Sequence, residues 1–144
     1  MSAPVIDHIG IVVEVLEPAI AAMSRLLPGA ALSRRSLPDA GLEVAEFQAA
    51  NIVIELLEYT TVEPGLARRT MGAVPGLNHI SLSVPDLGAA LAALAADGTL
   101  PMDGFPRRGA HGQIAFVNRD PHTGVLVELC QPDTGHSPNG PQDA

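Results

Sequence analysis

The chain has 144 residues, 47% of them apolar, and a net charge of -8. That length fits one domain or two small halves sharing a core, and the acidic balance argues against nucleic acid as a partner, because phosphate binding needs a basic field. No run approaches the ~18 apolar residues of a membrane span, the opening "MSAPVID" lacks the basic start and long apolar stretch of a secretory signal, and the single cysteine, Cys130, permits no intrachain disulfide; a cytoplasmic location is expected.

The first predicted element is a strand in "IDHIGIVV", interrupted by a titratable ring, His8. An amphipathic helix follows, with Ile20, Met23 and Leu27 on one face, Pro18 in its first turn and Gly29 as its stop. Two strands come next, "GLEVAEFQ" and "NIVIELLEY", with a turn at Asn51 between them. The pattern then starts again. "HIGIVVEVLEPAIAAM" from His8 overlays "HISLSVPDLGAALAAL" from His79 without a gap: His8 meets His79, Leu16 meets Leu87, and Ile20 meets Leu91. The second helix carries Leu91, Leu94 and Ala95 on its apolar face and stops at Gly98. Two further strands, "GQIAFVN" and "GVLVELCQ", flank the turn "DPHTG". The end of the chain, "QPDTGHSPNGPQDA", has no periodicity and reads as a mobile tail.

The repeat carries its polar exceptions with it. Glu55 interrupts "IVIELLEY" 47 residues after His8, and Glu128 interrupts "VLVELCQ" 49 residues after His79. Alternate side chains of a strand face opposite ways. His8 therefore shares a face with Gly10 and Val12, His79 with Ser81 and Ser83, Glu55 with Val53 and Leu57, and Glu128 with Leu126 and Cys130. The opposite faces are apolar and suit helix cover. A lone strand histidine is ordinarily a core residue, and a lone strand glutamate ordinarily faces solvent. Two of each in a two-fold pattern ask for another account, since a buried carboxylate without a partner is costly. A divalent cation among two glutamates and two neutral imidazoles makes the charge sum zero.

The segments "IDHIGIVV", "IELLEYT", "GLNHISLSV" and "PRRGAHGQIAFVNRDPHTGVLVELCQP" resemble the vicinal oxygen chelate superfamily (glyoxalase, bleomycin-resistance and dioxygenase proteins), and within it the methylmalonyl-CoA epimerases most closely. The resemblance covers roughly residues 5 to 132. It implies an α+β fold of two βαβββ modules, about 5–63 and 76–132, whose curved mixed sheet forms a cup around a metal, within a single domain 1–132 followed by a flexible tail 133–144. It implies the ligands His8, Glu55, His79 and Glu128, a homodimer, and a small-molecule acyl-CoA substrate. Four ligands around zinc would close a tetrahedral site, whereas six-coordinate cobalt, manganese, nickel or iron leaves two open positions. The activity implied is epimerisation of a 2-substituted malonyl-CoA, in which Glu128 is one proton-transfer group. The second glutamate of some epimerases aligns with Val44 here. Glu46, two residues on and on the same face, is expected to replace it. Tyr59 stands where the family usually has proline.

All eight basic residues are arginine, six of them in the pairs Arg34–Arg35, Arg68–Arg69 and Arg107–Arg108, read as loop residues. Most such arginines are solvated surface, but Arg107 and Arg108 fall in the loop where the resemblance places coenzyme A. His111, His122 and His136 are expected to be exposed, and Cys130 to be a core residue. A glyoxalase I-type lyase shares the metal set and an enediolate chemistry, though no mark of a glutathione site is visible. An extradiol dioxygenase uses two histidines and one carboxylate, against which Glu55 stands as a fourth ligand. A non-enzymatic ligand-binding member would ordinarily lack the metal ligands.

Overall fold

The computed structural model describes residues 3–135. Two compact units divide the described residues: His8–Asn78 in one, and in the other residues 3–7 together with 79–135. Strands and helices follow the order of two βαβββ modules.

The first module runs β1 (Val5–Val12), α1 (Leu16–Leu26), β2 (Ala31–Leu37), β3 (Leu42–Gln48) and β4 (Val53–Tyr59), in the strand order β2-β3-β4-β1. β1 lies parallel to β4, and the other pairs are antiparallel, so the sheet is mixed. Strand alternation sends Ala45, Phe47 and Leu56 to one face, where Leu16 and Ile20 of α1 bury them, with Met23 and Leu27 alongside. Phe47 and Leu56 are both 1% exposed. Burying each such side chain contributes roughly 1.5–3 kcal/mol, which fixes the register and leaves the other face to His8, Glu46 and Glu55.

The second module runs β5 (Gly76–Ser83), which follows the short helix α2 (Leu66–Met71), then α3 (Leu87–Ala96), β6 (Arg107–Arg108), β7 (Gly112–Val117) and β8 (Leu126–Pro132), in the order β5-β8-β7-β6. β5 is parallel to β8, and β7 is antiparallel to β6 and β8. Leu87, Ala115, Val117 and Leu129 form its core with Ala90, Leu91, Leu94 and Val127. Asp86 caps α3 by accepting from the Ala89 N–H at 3.0 Å, and Gly98, at φ 86°, ends it.

The repeat extends to how the helices begin. Leu16 N–H donates to Glu58 Oε1 at 3.0 Å, and its counterpart Leu87 N–H donates to Gln131 Oε1 at 2.9 Å. Both acceptors lie three residues after the strand glutamate of their module. Each strand thus carries its buried glutamate and the acceptor for an N–H at the helix start, which ties α1 to β4 and α3 to β8.

Several sequence expectations need correction. Each module has a fourth strand, β2 or β6, which the βαβββ order implies but the apolar pattern did not mark. Arg34 and Arg35 lie in β2, Arg68 and Arg69 in α2, and Arg107 and Arg108 in β6, not in loops. Ala95 is exposed, because the buried stripe of α3 runs through Leu87, Ala90, Leu91 and Leu94. Asp133, expected at the start of the tail, is held by Arg108, and its N–H donates to His111 O at 2.8 Å. His136 and the rest of the expected tail lie outside the described residues. Among the described residues no helix is long and apolar enough to cross a membrane.

Candidate functional site

In the first module three polar residues share the sheet face opposite α1. Glu55 on β4 stands opposite Gly10 on β1 and opposite Glu46 on β3. His8, two residues before Gly10, stands opposite Val53. His8 Nε2 and Glu55 Oε1 are 3.9 Å apart, too far for a hydrogen bond. With metal–ligand bonds of ~2.0–2.2 Å, two ligand atoms on one ion lie about 3 to 4 Å apart. The spacing of this imidazole and carboxylate therefore fits a shared cation.

Glu46 and Glu55 are both buried, at 6% and 8% exposure. Like charges directly opposite on an antiparallel pair repel, so both carboxylates require a cation. Arg35 supplies it from β2. Its Nη1 pairs with Glu46 Oε1, and its Nη2 donates to Glu55 Oε2 at 3.4 Å. Glu46 is thus an interior residue, on the face expected from Val44, and it lies beside Glu55.

In the second module His79 is 3% exposed, and its ring meets Phe116 edge-on, with centroids 5.2 Å apart at 82°. Ser81, fully buried, stands opposite Glu128 and donates to its Oε1 at 2.7 Å. Phe116 stands opposite Glu128 on the other side. His79, Ser81, Glu128 and Cys130 occupy one face of this sheet, as strand alternation predicts. Burial, then Glu128, Asp7 and Asp133, push the Cys130 thiol up to about 12, with Arg108 opposing. That suits a core residue and not a thiolate nucleophile.

Arg107 and Arg108 are exposed. Both terminal nitrogens of Arg108 hold the Asp133 carboxylate, and that hydrogen bond raises its pKa further. His111 is half-buried rather than exposed, while His122 is exposed in the turn that Asp120 closes. Tyr59 donates to Gly72 O and lies under the Arg68 guanidinium, 5.2 Å from the ring centroid. Burial pushes its phenol up to about 12, with Arg68 opposing. Sequence reasoning missed two side chains that hold the buried glutamates, Ser81 and Arg35. Ser81 was detectable as the counterpart of Gly10 in the repeat. Arg35 was detectable only once β2 was recognised as a strand, which puts it on the face of Val44 and Glu46.

Residues 7–117 match the family model described as the glyoxalase/bleomycin resistance protein/dioxygenase superfamily. The chain is 35% identical over 128 residues to the Bacillus subtilis (strain 168) uncharacterized protein YqjC, covering 88% of this chain and 91% of the relative. It is 32% identical over 132 residues to the ethylmalonyl-CoA/methylmalonyl-CoA epimerase of Cereibacter sphaeroides, covering 88% and 96%. Among solved structures, a methylmalonyl-CoA epimerase in complex with methylmalonyl-CoA and NH4+ superposes with a TM-score of 0.76 at 26% identity, covering 95% of this chain and 100% of that one.

Proposed function

The chain belongs to the glyoxalase/bleomycin resistance protein/dioxygenase superfamily, and from that premise we propose that it is a metal-dependent epimerase of a 2-substituted malonyl-CoA. The observation that carries this reading is the pair of polar groups, one histidine and one glutamate on the same sheet face of each module, with His79 and both glutamates buried and His8 half-buried. Its likeness to the epimerases favours an acyl-CoA substrate over the other chemistries of the superfamily.

In this reading His8, Glu55, His79 and Glu128 hold one divalent ion (cobalt, manganese, nickel, iron or zinc). The spacing of His8 and Glu55 fits that role, and two imidazoles with two carboxylates form a donor set such ions accept. When bound, the ion supplies Lewis-acid stabilisation of negative charge on the substrate's acyl oxygens. The protein's own groups move the proton. Carbon 2 lies between a thioester and a carboxylate, so its hydrogen is weakly acidic, and its removal leaves an enolate. Inverting that carbon needs one group to take the proton and another, on the opposite face, to return it. Glu128 is the first such group. The Ser81 hydroxyl fixes its Oε1, which orients the carboxylate. Glu46 is the second, turned to the Glu55 face by its place in β3. Arg107 is the better candidate for the phosphates of coenzyme A, because Arg108 is engaged by Asp133. A cytoplasmic homodimer completes the proposal.

The test is proton exchange. Metal-loaded protein is incubated with methylmalonyl-CoA in deuterated water, and the C2 hydrogen is followed by NMR. Its signal disappears at a rate set by enzyme concentration; exchange no faster than with the metal alone overturns the epimerase reading. Turnover of a hemithioacetal in place of exchange assigns the chain to the glyoxalase I-type lyases instead.

A further inference from the structure

The two modules differ in what holds their glutamate. In the second, Ser81 stands opposite Glu128 and donates to it. In the first, the matching residue is Gly10, which has no side chain to donate. Glu55 takes its donor from Arg35, two strands away in the sheet order. Arg35 also grips Glu46, which stands directly opposite Glu55. Directly opposed residues on an antiparallel pair have Cβ atoms about 4.5–5.5 Å apart. Glu55, on the strand paired with β1, is the nearer of the two to His8, and Glu46, one strand further on, is close enough behind it to compete for a cation that arrives there. Arg35 sets the two apart. Glu46 is committed to a guanidinium, and Glu55 gives that guanidinium only Oε2 while turning Oε1 toward His8.

We propose that Arg35 is a positioning residue that decides which of the two opposed glutamates is a metal ligand, holding Glu46 back as a proton-transfer carboxylate and presenting Glu55 with one oxygen toward His8. This rests on the metal-dependent reading above and sharpens it. Charge supports the assignment. Two glutamates neutralise a divalent ion; Glu46 would leave the site with an excess negative charge, and Arg35 cancels it. Arginine suits the task because its planar fork presents donors to the two carboxylates from separate nitrogens in a fixed geometry, whereas an ammonium offers its donors from a single rotating nitrogen. The partners of metal-ligating groups commonly set ligand orientation in this way.

The consequence has an unusual sign. A side chain that merely supports the fold weakens metal binding when it is removed. Replacing Arg35 by methionine removes a positive charge and releases Glu46 to compete for the ion, so binding tightens. The experiment is a cobalt(II) titration read by visible absorption, alongside melting of the metal-free protein, for wild type, Arg35→Met, Glu46→Gln and the double variant. Arg35→Met is expected to lower the apoprotein Tm by about 5–10 °C, because it leaves two buried carboxylates opposed. Adding Glu46→Gln is expected to recover more than half of that shift. Arg35→Met is also expected to bind cobalt about tenfold more tightly, with an altered visible spectrum, and the double variant to return toward wild type. Glu46→Gln alone is expected to keep cobalt affinity within about fivefold, whereas Glu55→Ala abolishes tight binding.

Equal or weaker cobalt binding by Arg35→Met, while wild type binds the ion, overturns the inference and leaves the metal-dependent reading standing. Tightening that persists in the double variant overturns it too, because Glu46 is then not the competing ligand. If wild type takes up no cobalt, both fall together. Should Arg35→Met fail to fold, Glu46→Gln decides: a loss as large as that of Glu55→Ala makes Glu46 a ligand and overturns the assignment.

Discussion

Ser81 stands opposite Glu128 across β5 and β8 and donates a 2.7 Å hydrogen bond to its Oε1. The serine has no exposed surface, and the glutamate is 7% exposed. A buried carboxylate is tolerable only when its oxygens are engaged, so this hydroxyl is a condition for placing Glu128 in the core. Ser81→Ala deletes one atom with little change in volume and removes this hydrogen bond. The expected loss is about 1.5–3 kcal/mol of stability, the range for hydrogen bonds to charged groups. Urea unfolding of the metal-free protein measures it. A change under about 0.5 kcal/mol, the level of an ordinary surface substitution, would show that the bond does not stabilise the fold.

β8 carries Glu128, and its position depends on a residue of β7 with no side chain. A Cβ on Gly112 would lie 2.0 Å from Gln131 O and 2.9 Å from Pro132 Cα. Neither is the flexible end of a side chain, so relief requires β7 and β8 to separate. Gly112→Ala is expected to destabilise by about 3 kcal/mol, the upper end for overpacking, and to weaken metal binding through displacement of Glu128. Gly65→Ala is the control. Nothing lies within 4 Å of its Cβ, and at this helix N-cap the change is expected to stay within about 1 kcal/mol. Equal melting shifts for the two variants would contradict the close approach at Gly112.

The parts of this fold that were legible from sequence are those in which burial writes a pattern. β1, β4, β5 and β8 are largely apolar and pack one face against a helix, and His8, Glu55, His79 and Glu128 stood out because each breaks an apolar run at a repeating place. β2 was illegible for the converse reason. "ALSRRSL" lies at the sheet edge with most of its residues exposed, so no periodicity marks it. With β2 unseen, Arg35 read as half of a solvated pair, although the pair is divided by strand alternation. Arg34 faces Glu17 at the surface, and Arg35 faces Glu46 and Glu55 in the interior. β6, only two residues long, leaves even less signal.

The proposed ligand set makes a prediction independent of turnover. Glu55→Ala and His79→Ala are each expected to reduce metal content after dialysis to less than about a tenth of wild type, since ligand loss exceeds the ten- to hundredfold effect of outer partners. His122→Ala, an exposed turn residue, is expected to leave it unchanged. Metal analysis of the purified, reloaded proteins decides the matter, and unchanged stoichiometry in either ligand variant refutes the assignment.

Tyr59 offers a pH-dependent test in a chain with one tyrosine and no tryptophan, where phenolate absorbance reports a single residue. Its hydroxyl donates to Gly72 O, and burial holds the phenol at about 12, with Arg68 opposing the shift. The ordinary value is about 10. The folded protein therefore keeps its proton at pH values where the unfolded chain has lost it. By linkage, this contribution to stability is fully present below pH 10, declines as pH rises from about 10 to about 12, and is gone above that. Phenolate absorbance at alkaline pH is expected to rise with a midpoint near 12 in the native protein and near 10 in urea. Tyr59→Phe removes the hydrogen bond to Gly72 at about 1 kcal/mol and should abolish the tyrosine-linked fall in stability across this window. A native midpoint near 10 would show that the hydroxyl is solvated, and would remove the tie between the end of β4 and the residue that follows α2.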